Sequence, residues 1–134
     1  MAYSVFTHLP ESVHLNWSAE IARVLRPGGL FFGTIETRKF LEFIQKQTDV
    51  ELTNDWQREI SRYRPDAARL LKEYDAGKFV YLPTGGGGVR TSDVYGEAVI
   101  PPAYIKKHWN GMRLLAVIDE SFWQTVIILQ KIRD

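Results

Sequence analysis

The chain has 134 residues, with 17 basic side chains, 16 acidic side chains and no cysteine. The lack of cysteine excludes a disulfide framework, a thiolate metal site and a cysteine nucleophile. The hydrophobic share of 45% is typical of a globular domain, and the net charge of +1 gives no reason to expect nucleic acid or an anionic membrane as a partner. We therefore predict a single folded domain over residues 1–134.

The start of the chain and its apolar runs predict a location. The first ten residues have no basic start and contain His8 and Pro10, unlike a secretory signal. The longest strictly apolar run, residues 126–129, is far too short to cross a bilayer. The sequence therefore predicts a cytoplasmic protein without a membrane partner.

Hydrophobic spacing and turn residues predict alternating helices and strands. The predicted helices cover residues 11–25, 38–47, a segment from Asn54 or Asp55, 66–76, and a short segment from Pro101 to near Trp109. The predicted strands cover residues 2–6, 30–35, 79–82, 95–100, 113–118 and 123–132. Because residues 119–121 separate the last two strands, we expect an antiparallel hairpin there. This order is typical of an α/β fold.

The same patterns predict which side chains are buried. The segments 30–35 and 125–129 lack polar alternation, so both are expected to be covered on two faces. The first helix is expected to bury an apolar stripe, formed by Val13, Trp17, Ile21, Val24 and Leu25. The four tryptophans are expected in the core: Trp17, Trp56, Trp109 and Trp123.

Two phrases near the start of the chain resemble a known family. Residues 3–11 read Tyr-Ser-Val-Phe-Thr-His-Leu-Pro-Glu, Trp17 and Glu20 follow, and residues 23–29 read Arg-Val-Leu-Arg-Pro-Gly-Gly. Together they resemble the second half of class I S-adenosylmethionine-dependent methyltransferases, and Tyr-Gly-Glu-Ala at 95–98 resembles one bacterial branch. The resemblance implies a partial Rossmann-like sheet, from strand four or five to strand seven, with flanking helices and a closing antiparallel hairpin. It places residues 30–35 beside residues 123–132.

The resemblance also implies the cofactor S-adenosylmethionine and residues that face it. Ser4 and Val5 would lie beside the cofactor, although ordinary packing at a strand end is the alternative. His8 would be the catalytic base, since its ordinary pKa is near neutrality; the alternative is a histidine that bonds the loop and caps the next helix. The family's Gly-x-Gly-x-Gly loop does not occur in this sequence. Binding of the cofactor by the chain alone is therefore expected to be weak or absent, with a Kd no better than about 1 mM.

Five further residues are candidates for contact with the methyl acceptor. Glu36 ends the strand at 30–35, at the edge where open α/β sheets bind ligands, or caps the helix that follows. Tyr95, Glu97 and Tyr104 lie in the segment that the resemblance places near the substrate, with packing and surface polarity as the alternative. Arg90 follows four glycines that form either a flexible loop or a mobile flap, in which Arg90 would contact an anion.

Other kinds of site have little support in the sequence. The three histidines lack the spacing of metal ligands, so no metal is expected. No Gly-x-Ser-x-Gly motif supports hydrolase chemistry. The basic residues at 58–72 alternate with acidic ones, which indicates a solvated helix face rather than a nucleic-acid surface.

The sequence therefore leaves three candidate functions. The leading prediction is methyl transfer from S-adenosylmethionine to an unidentified O, N or C acceptor, by the carboxyl-terminal part of a methyltransferase. The second is a non-catalytic interaction module, a truncated remnant that forms a homodimer through an exposed sheet edge. The third is a substrate-binding half that needs a separate cofactor-binding half.

Overall fold

A computed structural model describes residues 1–49, 52–119 and 123–132. Within these residues the α-helices are α1 (Glu11–Val24), α2 (Arg38–Lys46), α3 (Asp55–Ser61), α4 (Ala67–Asp75) and α5 (Pro102–His108), and a 3-10 turn at Arg64–Asp66 precedes α4. The five strands are β1 (Leu30–Ile35), β2 (Val80–Pro83), β3 (Gly96–Val99), β4 (Met112–Ile118) and β5 (Thr125–Lys131). The α/β prediction is confirmed, and the predicted turn at 119–121 falls partly outside the described residues. None of the described helices has the length and apolar character that a membrane crossing requires.

The larger sheet has three antiparallel strands in the order β1-β5-β4. Leu30 lies opposite Gln130 and Ile35 lies opposite Thr125, so the predicted pairing of these two segments is confirmed. On the other side of β1, Ala2 forms a single parallel bridge with Gly33. The expected strand at residues 2–6 is wrong, because beyond Ala2 the chain forms turns that lead into α1.

The smaller sheet pairs β2 with β3 antiparallel. On its other side β3 is tied to two distant parts of the chain. The amide of Ala98 donates to the Thr7 carbonyl at 2.7 Å, and the amide of Ile100 donates to the Glu36 carbonyl at 2.9 Å. Strand β3 therefore holds the loop before α1 and the end of β1 next to each other.

Helices α1 and α5 pack on one face of the larger sheet, around buried Phe31, Ile127, Leu129 and Trp109. The predicted stripe of α1 is wrong in part: Val13, Trp17 and Val24 are exposed, while the buried residues are His14, Ser18 and Ala22. Trp109 is the reason, since its Nε1–H donates to Nε2 of His14 at 2.8 Å and keeps that face inward. A second core cluster joins α2 and α4 to the smaller sheet.

The other face of the larger sheet is more open than the sequence predicts. Leu30 is 46% exposed and Phe32 is 40% exposed, so burial of β1 on both faces is wrong. Strand β5 is central, as predicted, but its burial alternates. Of the four tryptophans only Trp109 is buried; Trp17, Trp56 and Trp123 are exposed in part, which corrects the core prediction.

Candidate functional site

His8 lies where the loop before α1 meets the start of β3. Its Nδ1 is 2.9 Å from the Gly96 carbonyl oxygen. A carbonyl can only accept, so Nδ1 carries the proton and Nε2 is left with a free lone pair. No side chain caps the start of α1, so His8 bonds a strand 88 residues away rather than the helix that follows. In this tautomer Nε2 of His8 can accept a proton, as a general base must.

Glu97 lies on the Nδ1 side of the His8 ring. Its Oε2 is 3.5 Å from Nδ1 of His8, and its Oε1 accepts a hydrogen bond of 2.7 Å from Nε1 of Trp56. The carboxyl group is almost completely buried, and this burial raises its pKa, against the opposing effects of the Trp56 bond and of His8. A carboxylate here favours the imidazolium that forms when Nε2 takes a proton.

Ser4 closes the site on the other side of His8. Its backbone has a φ of +54°, which is uncommon for a residue with a side chain. A ring of hydrogen bonds holds this conformation: the Ser4 amide donates to Thr34 Oγ1, Thr34 Oγ1 donates to Gln124, and Gln124 donates to Ser4 Oγ. Ser4 Oγ is then 3.4 Å from Nε2 of His8. The ring keeps a small hydroxyl group facing the free lone pair.

Glu36 follows β1 directly and is 4% exposed. Burial, followed by the charge of Glu97, raises the pKa of Glu36 to about 8, while Lys39 opposes the rise. The residue before α2 is Thr37, which makes no side-chain cap, so a capping role for Glu36 is not observed. The carboxyl group instead borders a cavity of about 110 Å³. Its other lining residues are Lys39, Phe40, Phe43 and Trp123.

Tyr95 forms the wall between His8 and a larger cleft. Its ring stacks on the His8 ring with 4.7 Å between centroids, and the Arg90 guanidinium lies 5.6 Å from the Tyr95 centroid on the cleft side. The cleft has a volume of about 540 Å³ and runs between α3 and the glycine loop. Trp56 and Tyr95 both line it, so each member of the His8–Glu97 pair has an aromatic neighbour that reaches the cleft.

The glycine loop is a closed turn. The Gly86 amide donates to the Arg90 carbonyl and the Gly85 amide donates to the Tyr95 carbonyl. These amides are therefore engaged within the chain and do not form a phosphate cradle. A Cβ on Gly86 would lie 2.9 Å from the Tyr95 ring, so this glycine lets the loop approach Tyr95 closely.

Two predicted site residues lie elsewhere or at the margin. Tyr104 is buried under α1 and its hydroxyl donates to Glu11 at 2.6 Å, which corrects its placement near the substrate. Val5 is exposed and contributes a backbone carbonyl to the His8 amide. Ser4, His8, Tyr95 and Glu97 are brought together, with Arg90 over Tyr95 and the charge of Glu97 felt at Glu36.

The sequence analysis missed Trp56 and Gln124 as site residues. Trp56 was assigned to the core, and Gln124 carries no motif that separates it from a surface amide. Among the residues that the structure describes, no group of three or more ligating side chains could hold a metal ion. Comparison with family models, with curated proteins and with solved structures gave no match to this chain.

Proposed function

We propose that this chain is the acceptor-side half of a class I S-adenosylmethionine-dependent methyltransferase. The observation that supports the proposal is that the His8–Glu97 pair lies beside the end of β1 in a sheet with the strand order β1-β5-β4. Strand β5 runs antiparallel between β1 and β4, and Ala2 runs parallel on the far side of β1. This arrangement agrees with the sheet that the sequence resemblance implies.

The residues present fit one part of S-adenosylmethionine. Ser4 and exposed Val5 offer a hydroxyl group and an apolar surface next to His8, which suits the methyl-donating end of the cofactor. The glycine loop after an amino-terminal strand, which would approach its nucleoside, does not occur in the sequence. When bound, the cofactor supplies an electrophilic methyl group.

The chain's own residues prepare the acceptor. A hydroxyl or amine of the acceptor that replaces Ser4 Oγ at Nε2 of His8 gives its proton to that nitrogen. The Gly96 carbonyl orients the ring, and Glu97 stabilises the imidazolium that results. Trp56 and Tyr95 line the cleft from which the acceptor would approach, and they limit the access of water to the pair.

Nuclear magnetic resonance can locate the cofactor on the isolated chain. We expect S-adenosylmethionine to shift the amide signals of Ser4 and Val5 and the ring signals of His8, with half-saturation no lower than about 1 mM. Adenosine, which lacks the sulfonium group, is the matched ligand and should leave the His8 ring signals in place. Shifts centred on α4, the absence of any shift up to about 20 mM, or micromolar binding would contradict the proposal.

The role of His8 requires an activity test, with the cofactor-binding half supplied. His8→Gln keeps a side chain that can donate to Gly96 but removes the base, and we expect transfer to slow by about 100-fold or more. Tyr104→Phe is the matched control, because it removes a hydroxyl group that contacts Glu11 away from the site. Equal rates for His8→Gln and the unchanged chain would rule out His8 as the base.

A second candidate function rests on the open face of the larger sheet. Met1, Tyr3, Phe32 and Val126 border an apolar cavity of about 280 Å³, and the Ala2 bridge pairs with β1 only around Gly33. A second copy of the chain could add its own β1 edge there and cover this surface. This proposal treats the protein as an interaction module that works as a homodimer.

Light scattering at rising concentration tests the dimer. We expect a dimer that Phe32→Lys converts to a monomer, because the lysine charge would be buried at the new contact. Trp17→Lys, at an exposed apolar position on α1, is the control and should remain dimeric. A monomer at every concentration contradicts this second function and leaves the methyltransferase proposal intact.

A further inference from the structure

We infer that the cavity at the end of β1 binds the positively charged amino or quaternary ammonium group of a small molecule, with Glu36 as the counter-charge and aromatic rings as its walls. This inference deepens the proposed function and rests on it for one conclusion, that the acceptor of the methyl group is a molecule bearing such a group. The binding itself is a property of this chain and can be tested without the cofactor.

The first observation is a buried carboxyl group without a partner. Glu36 is 4% exposed and borders the cavity. Within the part of the chain that the structure describes, no hydrogen bond or ion pair joins its carboxyl oxygens. A buried carboxyl group in this state is costly unless a ligand compensates it. The cavity is the side from which such a ligand can reach it.

The neighbouring cation does not satisfy Glu36. Lys39 lines the same cavity, and its charge does act on Glu36. Its ammonium group, however, is held 3.0 Å from the carboxylate of Asp119 and 3.2 Å from the Asp119 carbonyl. Lys39 therefore forms one border of the cavity while its charge is compensated by another carboxylate.

The second observation is the set of aromatic side chains that line the cavity: Phe40, Phe43 and Trp123. Phe43 stacks on Trp56 with 6.5 Å between centroids, and Trp123 meets Phe43 edge to face at 5.6 Å. Phe40 lies 6.3 Å from Trp56. Trp123 is 66% exposed, so its ring is accessible to a ligand that enters the cavity. Aromatic faces next to a carboxylate are the surroundings that recognise alkylammonium groups.

The charge around the cavity agrees with a cationic ligand. Glu97 acts electrostatically on Glu36 and is itself buried, so a second acidic group lies close to the one that lines the cavity. His8 lies on the far side of Glu97 and Lys39 is paired with Asp119. An entering cation would be attracted by these acidic groups once Glu36 has lost its proton. An anionic ligand would be repelled by them.

The binding should also release a proton. Because the pKa of Glu36 lies at about 8, its carboxyl group holds a proton at neutral pH when no ligand is bound. A cation nearby favours the charged carboxylate, so the proton leaves as the ligand enters. A ligand that only packs against the aromatic rings would release none.

Choline is a suitable probe, because its ammonium group cannot titrate. Its neutral carbon analogue, 3,3-dimethylbutan-1-ol, has the same shape without the charge. We expect choline to shift the indole signals of Trp123 saturably and to bind at least about tenfold more tightly than the neutral analogue, a difference of about 1.4 kcal/mol. Equal binding of the two probes, or no binding of choline up to about 50 mM, would overturn the inference.

Glu36→Gln is the matched variant, since it keeps the shape of the side chain and removes its charge. We expect it to weaken choline binding about tenfold or more, while Glu20→Gln on α1, whose carboxylate is exposed and pairs with Arg23, leaves the binding unchanged. Calorimetry in two buffers of different ionisation heat should give close to one proton released at about pH 7 and close to none at about pH 9.5. Unchanged binding by Glu36→Gln would overturn the inference.

The failure of this inference can be told apart from failure of the proposed function. Choline reports on Trp123, whereas S-adenosylmethionine is expected at Ser4, Val5 and His8. Choline binding without cofactor shifts would sustain the ammonium site and contradict the methyltransferase. Cofactor shifts without choline binding would do the reverse.

Discussion

Replacement of Glu36 by glutamine should make the protein more stable, and more so as the pH rises. The pKa of Glu36 is raised from 4.5 to about 8 in the folded chain. The unfolded chain therefore loses this proton first, and the contribution of Glu36 to stability is present below about pH 4.5 and lost as the pH rises towards 8. At about 1.4 kcal/mol for each pH unit, the full loss is about 5 kcal/mol.

Glutamine removes this loss but brings an amide that needs its own partners. We therefore expect Glu36→Gln to gain at least about 2 kcal/mol in free energy of unfolding at about pH 8.5, and much less at about pH 5. Urea denaturation followed by tryptophan fluorescence at several pH values measures the difference directly.

The control for this measurement is Glu20→Gln, which removes an exposed carboxylate and its pair with Arg23. Such pairs contribute little, so its difference from the unchanged chain in free energy of unfolding should be small and vary little between pH values. If the curves of Glu36→Gln and the unchanged chain run parallel from about pH 5 to about pH 9, Glu36 is not the buried, proton-holding group that proton release on ligand binding requires.

Three other substitutions test separate parts of the fold. Burial lowers the pKa of His14 to about 4. The contribution of neutral His14 to the free energy of unfolding is present above about pH 6.5 and should fall by about 3 kcal/mol as the pH drops towards 4. Urea denaturation of His14→Gln should show that this part of the loss of stability in acid is gone. Gly86→Ala should push the Tyr95 ring, seen as a shift of its ring signals, because the new Cβ would lie 2.9 Å from that ring; unchanged ring signals would show that the close approach does not occur. Asn54→Ala should cost about 1 kcal/mol in thermal unfolding, because the Asn54 side chain caps α3 through the Gln57 amide; no loss of stability would show that this cap contributes nothing.

The local elements could be predicted because their signals are local. Apolar spacing, together with the Pro-Gly-Gly stop, gave α1 to within one residue and β1 without error. Asn54 and Gly77 marked a helix start and a helix end, and the structure confirms the Asn54 cap and a positive φ of 81° at Gly77. The pairing of β1 with β5 followed from the family resemblance rather than from either strand alone.

Burial and the site's partners could not be predicted, because they depend on contacts far along the chain. His14 is polar, yet Trp109, 95 residues away, turns it inward. The His8–Glu97 pair depends on β3 arriving beside the first loop. Trp56 joins the site only because α3 brings its indole nitrogen to Glu97. No spacing rule over a short window contains these separations.

Strand β3 connects the two core clusters, so the geometry of the site depends on the position of this one strand. Its amides and those just after it bond Thr7 and Glu36 on one side, while β2 holds the other. If the smaller sheet and its helices opened as a unit, Glu97 would leave with β3 and His8 would stay with the first loop. Hydrogen exchange at Ala98 and Ile100 should therefore report the rate at which the base loses its carboxylate.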